Sequence, residues 1–175
     1  MQQPSWPQLG LFVFLVATLG LGSAASTADS VSGLITRTYV IVEDTDLAGD
    51  VTCDVTGAPC FSFAAPGVEL RLNGFTITGK ADPVTACAGA ALTANEGGIL
   101  TNSQDRVTVR GPGVVQRFRQ HGVWVAGSRD VRVEGLTAST NCGSGVFIAA
   151  NAFGTLVAGI TTVRNGSAAA ACGGV

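Results

Sequence analysis

This 175-residue chain has few charged residues and few aromatic residues. Charged residues make up 13% of it, the net charge is −2, and there is a single histidine. A nucleic-acid-binding protein needs a basic face, so this charge content argues against a nucleic-acid partner. The 24 glycines and the aromatic content of only 6% suit an all-β chain with many tight turns.

The chain also lacks any Cys-x-x-Cys spacing, although it contains five cysteines. Its one histidine is not near a cysteine in sequence, so we expect no metal site and no cofactor. Five cysteines fit an oxidising compartment. Cys53 and Cys60 frame a short loop and are predicted to pair. Cys142 and Cys172 each precede a glycine-containing entry to a coil and form a second candidate pair, and Cys87 could compete for either pairing.

The amino-terminal part of the chain has the pattern of a secretory signal peptide. Residues 9–21 form an apolar run of 13 residues, and small residues follow it at 22–26. A membrane span needs about 20 apolar residues, and no second run is long enough. We therefore expect a signal peptide over 1–25, a secreted (extracellular or periplasmic) protein, and no stable membrane span after cleavage. The absence of Lys and Arg from residues 1–8 departs from the usual pattern.

A segment repeats about every 24 residues, each copy with alternating apolar residues and a glycine in the same place. The copies are Val107–Gly111, Val131–Gly135 and Thr155–Gly159, and the glycines are 24 residues apart (135 − 111 and 159 − 135). An earlier copy, Leu70–Gly74, ends 37 residues before Gly111, which implies an insertion, placed at 80–96. Such periods indicate repeat architecture, and the alternation indicates strands.

Three short strands in each repeat predict a parallel β-helix, in which each coil stacks on the previous one about 4.8 Å away. We predict an entry cap at 26–52 and about four coils over 53–175. The chain stops at Gly174-Val175, where another repeat should begin. Because a solenoid needs a terminal cap, we expect it to be truncated at its carboxyl end.

Residues 70–79, 107–113 and 122–131 resemble the right-handed parallel β-helix repeat family of the pectin-lyase-like superfamily. The resemblance covers roughly residues 45–175. It implies an all-β, right-handed parallel β-helix fold. The family includes polysaccharide lyases, polygalacturonases, alginate epimerases, periplasmic metal-site maturation proteins and secreted proteins of no known activity, so the resemblance does not imply one chemistry.

The motifs of the family's hydrolases are incomplete here. His121 is followed by glycine but is not part of a Gly-His-Gly motif, and the Asp-Asp pair is absent. Hydrolysis of a glycosidic bond needs two cooperating carboxyl groups. A histidine without such partners at a turn favours a structural role over acid–base catalysis.

A lyase would need a calcium-binding carboxylate cluster and a basic residue. Arg132 is the best-placed base, and we expect Arg71 two coils earlier in the same outward column. The only dense acidic group lies near the entry cap, where acids in turns are common: Glu43, Asp44, Asp46 and Asp50.

Stacking at 24 residues also predicts contacts between coils. Asn141 and Asn165 should align and form a short amide ladder, although asparagine also tolerates a left-handed turn. Alignment predicts three pairs of opposite charge: Arg106 with Asp130, Asp105 with Arg129, and Arg110 with Glu134. Neighbouring opposite charges on a sheet contribute about 0.2–1 kcal/mol each.

The outward column Leu100, Trp124 and Phe147 is the strongest candidate for a binding surface, with Arg132 as a further candidate. An exposed apolar ridge often marks a contact surface, although another part of the chain could cover it. The sequence therefore favours a secreted β-helix domain that binds polysaccharide or serves as a surface scaffold. The alternative is a fragment of a polysaccharide lyase or epimerase with its active site outside this segment.

Overall fold

The computed structural model describes residues 28–81 and 95–166, and this part of the chain is all-β, with no helix. Its fifteen short strands are β1 (Asp29–Ile35), β2 (Tyr39–Ile41), β3 (Thr45–Cys53), β4 (Phe61–Phe63), β5 (Glu69–Arg71), β6 (Thr76–Thr78), β7 (Ile99–Leu100), β8 (Thr108–Arg110), β9 (Val114–Gln116), β10 (Val123–Val125), β11 (Arg132–Glu134), β12 (Thr137–Ser139), β13 (Val146–Ile148), β14 (Leu156–Ala158) and β15 (Thr161–Val163).

These strands form two parallel sheets. The larger one, sheet A, has the order β14-β11-β8-β5-β3-β6-β9-β12-β15 and is curled and open, with β1 paired to β3. The nine-residue strand β3 pairs with β5 through its first part and with β6 through its last part, so it joins the two halves of sheet A. Sheet B has the order β13-β10-β7-β4-β2. The segment predicted as an entry cap supplies β1, β2 and β3 to these same sheets.

The stacking at 24 residues is confirmed in sheet A. Val109, Val133 and Val157 are register partners on β8, β11 and β14. Val109 and Val133 are fully buried. The repeat therefore places equivalent residues over one another in a single interior row, which makes the fold solenoid-like.

Alternation along each strand separates the core from the outer face. On β10, Val123 and Val125 are fully buried, whereas Trp124 between them is half-buried. The strand period of two produces this pattern. Each buried valine or leucine side chain contributes about 1.5–3 kcal/mol relative to an exposed one. The largest fully buried side chains of the described chain include Phe61, Phe63, Ile41, Leu47, Leu70, Leu72 and Ile77.

The repeated glycines are required for two different reasons. Gly135 has a φ of +67°, a left-handed conformation that side chains rarely adopt. A Cβ at Gly135 would meet only the Gly111 Cα, at 4.0 Å, which is an ordinary van der Waals contact. Gly111 has no such φ, but a Cβ there would overlap the backbone carbonyl of Gly135. Backbone conformation thus requires glycine at position 135, and the close approach of the neighbouring coil requires glycine at position 111.

The predicted amide ladder is confirmed. Asn141 Nδ2 donates to Asn165 Oδ1 at 2.9 Å, and Asn165 Nδ2 donates to the Ala138 carbonyl at 2.9 Å. The left-handed turn residues are instead the preceding ones, Thr140 and Arg164, each with a φ of +53°. The asparagines are therefore used for side-chain hydrogen bonds between coils and not for their backbone tolerance.

A disulfide bond joins Cys53 to Cys60, as predicted, with a Cα–Cα distance of 5.9 Å. Closing so short a loop contributes about 2.5 kcal/mol in the chain-entropy model. Cys142 is also disulfide-bonded. Cys172 and Cys87 lie outside the described residues, so the pairing of Cys142 with Cys172 stays a prediction.

Two other predictions also fall on residues that the structure does not describe. The predicted signal peptide at 1–25 lies wholly outside, and so does most of the predicted insertion at 80–96. Within residues 28–81 and 95–166, no helix has the length and apolarity needed to cross a membrane.

Candidate functional site

Charged side chains on the first half of sheet A form one continuous ion-pair network. Its lower part centres on Arg71, which pairs with Asp44 at 2.8 Å, Asp46 at 3.2 Å and Glu69 at 3.1 Å. Its upper part links Glu69 to Arg110, Arg110 to Glu134 at 2.9 Å, and Glu134 to Arg132 at 2.8 Å. Exposed pairs of this kind each contribute at most about 1 kcal/mol, so the network orders the face more than it stabilises the fold.

The predicted column of Arg132 and Arg71 is wrong. Arg132 aligns with Thr108, and Thr108 aligns with Glu69, whereas Arg71 aligns with Arg110. Between β5 and β8 the interval is therefore 39 residues (108 − 69) and not the 37 inferred from the glycines. A shift of two residues keeps every side chain on the same side of the strand, so the alternation in the sequence could not reveal it. Arg132 itself is exposed, with 54% of its side chain accessible.

Of the three predicted ion pairs between coils, only Arg110 with Glu134 is formed. Asp105 Oδ1 instead accepts a hydrogen bond from the backbone N–H of Arg129 at 2.8 Å. Arg106 and Asp130 both occupy left-handed turn positions, with φ of +57° and +54°, and no ion pair joins these two described residues. At the turns, backbone N–H groups thus compete with side chains for the carboxylates.

Three of the four acidic side chains near β3 have partners within the fold. Arg71 neutralises Asp44 and Asp46, and Asp50 Oδ1 accepts the backbone N–H of Thr76 at 2.8 Å. In the described part of the chain, no group of three or more His, Cys, Asp or Glu side chains could hold a metal ion.

The outer face of sheet B differs from that of sheet A because its five strands contain no charged residue. Leu100, Trp124 and Phe147 are register partners on β7, β10 and β13, so they form one outward row. All three are half-buried. Sheet B therefore presents an uncharged, largely apolar face.

His121 packs on this row, at the turn before β10. Its ring stacks on Phe147 with centroids 4.3 Å apart and an interplanar angle of 9°, and it meets Trp124 edge-on at 5.7 Å. Trp124 and Phe147 are themselves in edge contact at 6.3 Å. We call these three residues the aromatic cluster. Sequence reasoning missed His121 as part of this face because strand alternation does not place a turn residue. Its position three residues before the outward Trp124 was the available signal.

The imidazole of His121 is buried and neutral. Only 7% of the residue is accessible, and desolvation lowers its pKa from 6.5 to about 4. Nδ1 accepts a hydrogen bond from the backbone N–H of Ser144 at 3.0 Å. Since one ring nitrogen of neutral imidazole accepts and the other donates, the hydrogen lies on Nε2.

We expect the free energy of unfolding to fall as the pH is lowered below about 6.5, because His121 takes up a proton in the unfolded chain before it does so in the folded protein. Its folded pKa of about 4 lies below the unfolded value of 6.5, so protonation favours the unfolded chain. The stability that neutral His121 contributes is fully present above pH 6.5 and is lost progressively toward pH 4. The loss should be on the order of 2 kcal/mol, less than the full shift implies, because solvent screens part of the charge on the outer face.

Urea unfolding at pH 7.0, 5.5 and 4.5 measures this loss. The control is His121→Phe, which keeps an aromatic ring and cannot be protonated. Its stability should depend less on pH between 6.5 and 4 than that of the unchanged protein. Equal pH dependence in both proteins would contradict the assignment to His121.

The indole N–H of Trp124 is buried and has no hydrogen-bond partner in the described chain, and the same is true of the Gln120 Oε1 atom. A buried polar group left unpaired costs about 1–3 kcal/mol. One atom is a donor and the other is an acceptor, and Gln120 precedes His121 directly. The aromatic cluster thus combines apolar rings with one unpaired donor, the indole N–H of Trp124.

No family model, no curated protein and no solved structure matches this chain. The functional interpretation therefore depends on the residues and contacts of the chain itself.

Proposed function

We propose that this chain is a right-handed parallel β-helix domain of a secreted protein and that the outer face of sheet B binds carbohydrate. The parallel stacking and the repeats support the β-helix. Export is supported by the apolar run at residues 9–21 and by the Cys53–Cys60 disulfide, since disulfides persist in oxidising compartments. The protein then acts outside the cytoplasm, extracellularly or in a periplasm.

The outward row Leu100, Trp124 and Phe147 is the observation that carries the binding proposal. Side chains one coil apart lie about 4.8 Å from each other, so the row forms a continuous apolar strip across three coils. The apolar face of a sugar ring packs on such aromatic surfaces, and a long polymer can follow the direction of stacking. The aromatic cluster gives this strip its largest and most rigid contact area.

A glycan array followed by calorimetry tests the proposal. We expect Trp124→Ala to weaken polysaccharide binding by about tenfold or more, because aromatic anchors dominate such contacts. Phe153→Ala is the matched control, since Phe153 is exposed but lies outside the row. Failure of the protein to bind any glycan, or equal affinity of the Trp124→Ala variant, would exclude this function.

A polysaccharide lyase or epimerase, with this chain as a fragment of it, is the second candidate. The exposed guanidinium of Arg132 favours it, because Arg132 pairs only through Nε with Glu134 among the described residues. A base of this kind could act on a uronate together with groups outside this segment. Unsaturated product released from uronate polymers would support this candidate, and its absence would count against it.

A further inference from the structure

The loop of residues 54–59 carries the chain from sheet A to sheet B at one corner of the stack. It begins after Cys53, the last residue of β3, and ends before Cys60, which directly precedes β4. The disulfide between these two cysteines closes the loop. Both cysteines are buried, with accessible fractions of 3% and 1%. Because thiol–disulfide exchange requires access to a sulfur atom, the closed loop shields its own disulfide from external thiols.

Glu96, in the next coil, binds this loop with a buried carboxylate. Only 4% of its side chain is accessible. Its Oε1 accepts the backbone N–H of Gly57 in the loop at 2.9 Å, and its Oε2 pairs with Arg119, one coil further along the stack, at 3.2 Å. A charged group is buried without a large penalty only when it is paired and hydrogen-bonded. One of the two partners of Glu96 therefore belongs to the loop that the disulfide closes.

The other contacts of the loop are of a different kind. Lys80 Nζ donates to Asp54 Oδ1 at 3.0 Å and to Thr56 Oγ1, and Thr38 Oγ1 donates to the Pro59 carbonyl at 2.7 Å. The Asp54 side chain is 63% accessible, so solvent screens its ion pair. None of these contacts holds a buried charge. The contact between Glu96 and the loop is thus the one whose formation most depends on the loop being in place.

We propose that the Cys53–Cys60 disulfide, the loop that it closes and the Glu96 carboxylate form a redox latch, which closes this corner of the stack only when the two cysteines are oxidised. In the oxidised chain, the short loop holds the Gly57 N–H where the carboxylate can accept it. In the reduced chain, the conformational entropy of the open loop opposes this contact, and Glu96 stays in water. The latch thereby links completion of the fold to an oxidising compartment.

The redox step needs an external oxidant of the small-molecule disulfide class, such as glutathione disulfide. The thiols of Cys53 and Cys60 lose two electrons and two protons and form the S–S bond. The oxidant takes up these electrons and protons and is cleaved to two thiols. Coupling between two sites is reciprocal. If the disulfide favours the contact of Glu96 with the loop, that contact must favour the disulfide by the same factor.

A glutathione redox titration of the full chain measures this reciprocal effect. Mass mapping of the peptides that contain Cys53 and Cys60 gives their oxidised fraction separately from the disulfide of Cys142. We expect Glu96→Ala to lower the equilibrium constant for Cys53–Cys60 formation at least about tenfold, because a hydrogen bond to a charged group is lost. Glu96→Gln keeps an oxygen acceptor for the Gly57 N–H, so it should restore most of this loss.

The matched control is Glu134→Ala, which removes a carboxylate that pairs with Arg110 and Arg132 away from this corner. It should leave the equilibrium constant for the disulfide unchanged. An unchanged equilibrium constant in Glu96→Ala would overturn the latch. An oxidised Glu96→Ala protein that is unfolded by circular dichroism would overturn it too, since the carboxylate would then be needed for the whole fold and not for this corner.

Urea unfolding of Cys53→Ala/Cys60→Ala gives an independent measurement. Loss of loop closure alone should raise the unfolding equilibrium constant about 70-fold, and loss of the Glu96 contact should raise it about tenfold further. In this background Glu96→Ala should have no additional effect, whereas an effect as large as in the oxidised protein would contradict the coupling. If the double variant does not fold, the titration decides alone. The latch does not rest on carbohydrate binding by sheet B, so the two proposals succeed or fail separately.

Discussion

Val133→Asp should abolish folding, the largest effect that we expect from a single substitution in this chain. Val133 is fully buried between Val109 and Val157 in the interior row. A carboxylate there would have no cation to pair with, because the row consists of valines. Burying an unpaired charge costs several kcal/mol, and a domain of this size is stable by only about 5–15 kcal/mol.

Far-ultraviolet circular dichroism and size-exclusion chromatography of the Val133→Asp variant measure the loss. The matched control is Val40→Asp, the same substitution at an outward position of β2 that is 54% accessible. It should fold and change stability by no more than about 0.5 kcal/mol. A soluble, cooperatively unfolding Val133→Asp variant would falsify the inward assignment of the row.

Gly111→Ala should be the second most damaging change, although it adds only one methyl group. That methyl would overlap the carbonyl carbon and oxygen of Gly135 on the neighbouring coil. Backbone atoms cannot rotate away as a side chain can, so the two coils would have to separate locally. We expect a loss of at least about 3 kcal/mol, at the upper end of overpacking effects.

Urea unfolding gives the difference in the free energy of unfolding, and Gly135→Ala is the comparison. Gly135 has a φ of +67°, but a Cβ there would make only an ordinary contact, with the Gly111 Cα at 4.0 Å, so alanine there should cost only about 1–2 kcal/mol. The order of the two effects is the test. If Gly135→Ala proved at least as damaging as Gly111→Ala, the close approach of the coils would not be the reason for glycine at position 111.

Some features of the proposed binding face could be predicted from the sequence, and others depend on the tertiary structure. Alternation around Val123 and Val125 correctly predicted that Trp124 points outward, and the 23-residue interval to Phe147 (147 − 124) placed the two in one row. The sequence left open whether the row is covered, and it did not predict the contact with His121. They depend on where a turn residue's ring lies in space, and no periodic pattern specifies that.

By itself, the sequence determined the all-β class, the parallel stacking at 24 residues, the inward and outward faces, and the short-range disulfide. These follow from local rules: a strand alternates every two residues, a repeat must stack on its neighbours, and Cys53 and Cys60 are close along the chain. Only the tertiary structure decided the 39-residue interval between β5 and β8, the ion-pair network centred on Arg71, and the burial of His121. A shift of two residues leaves the alternation unchanged, and side-chain partners between coils depend on that register.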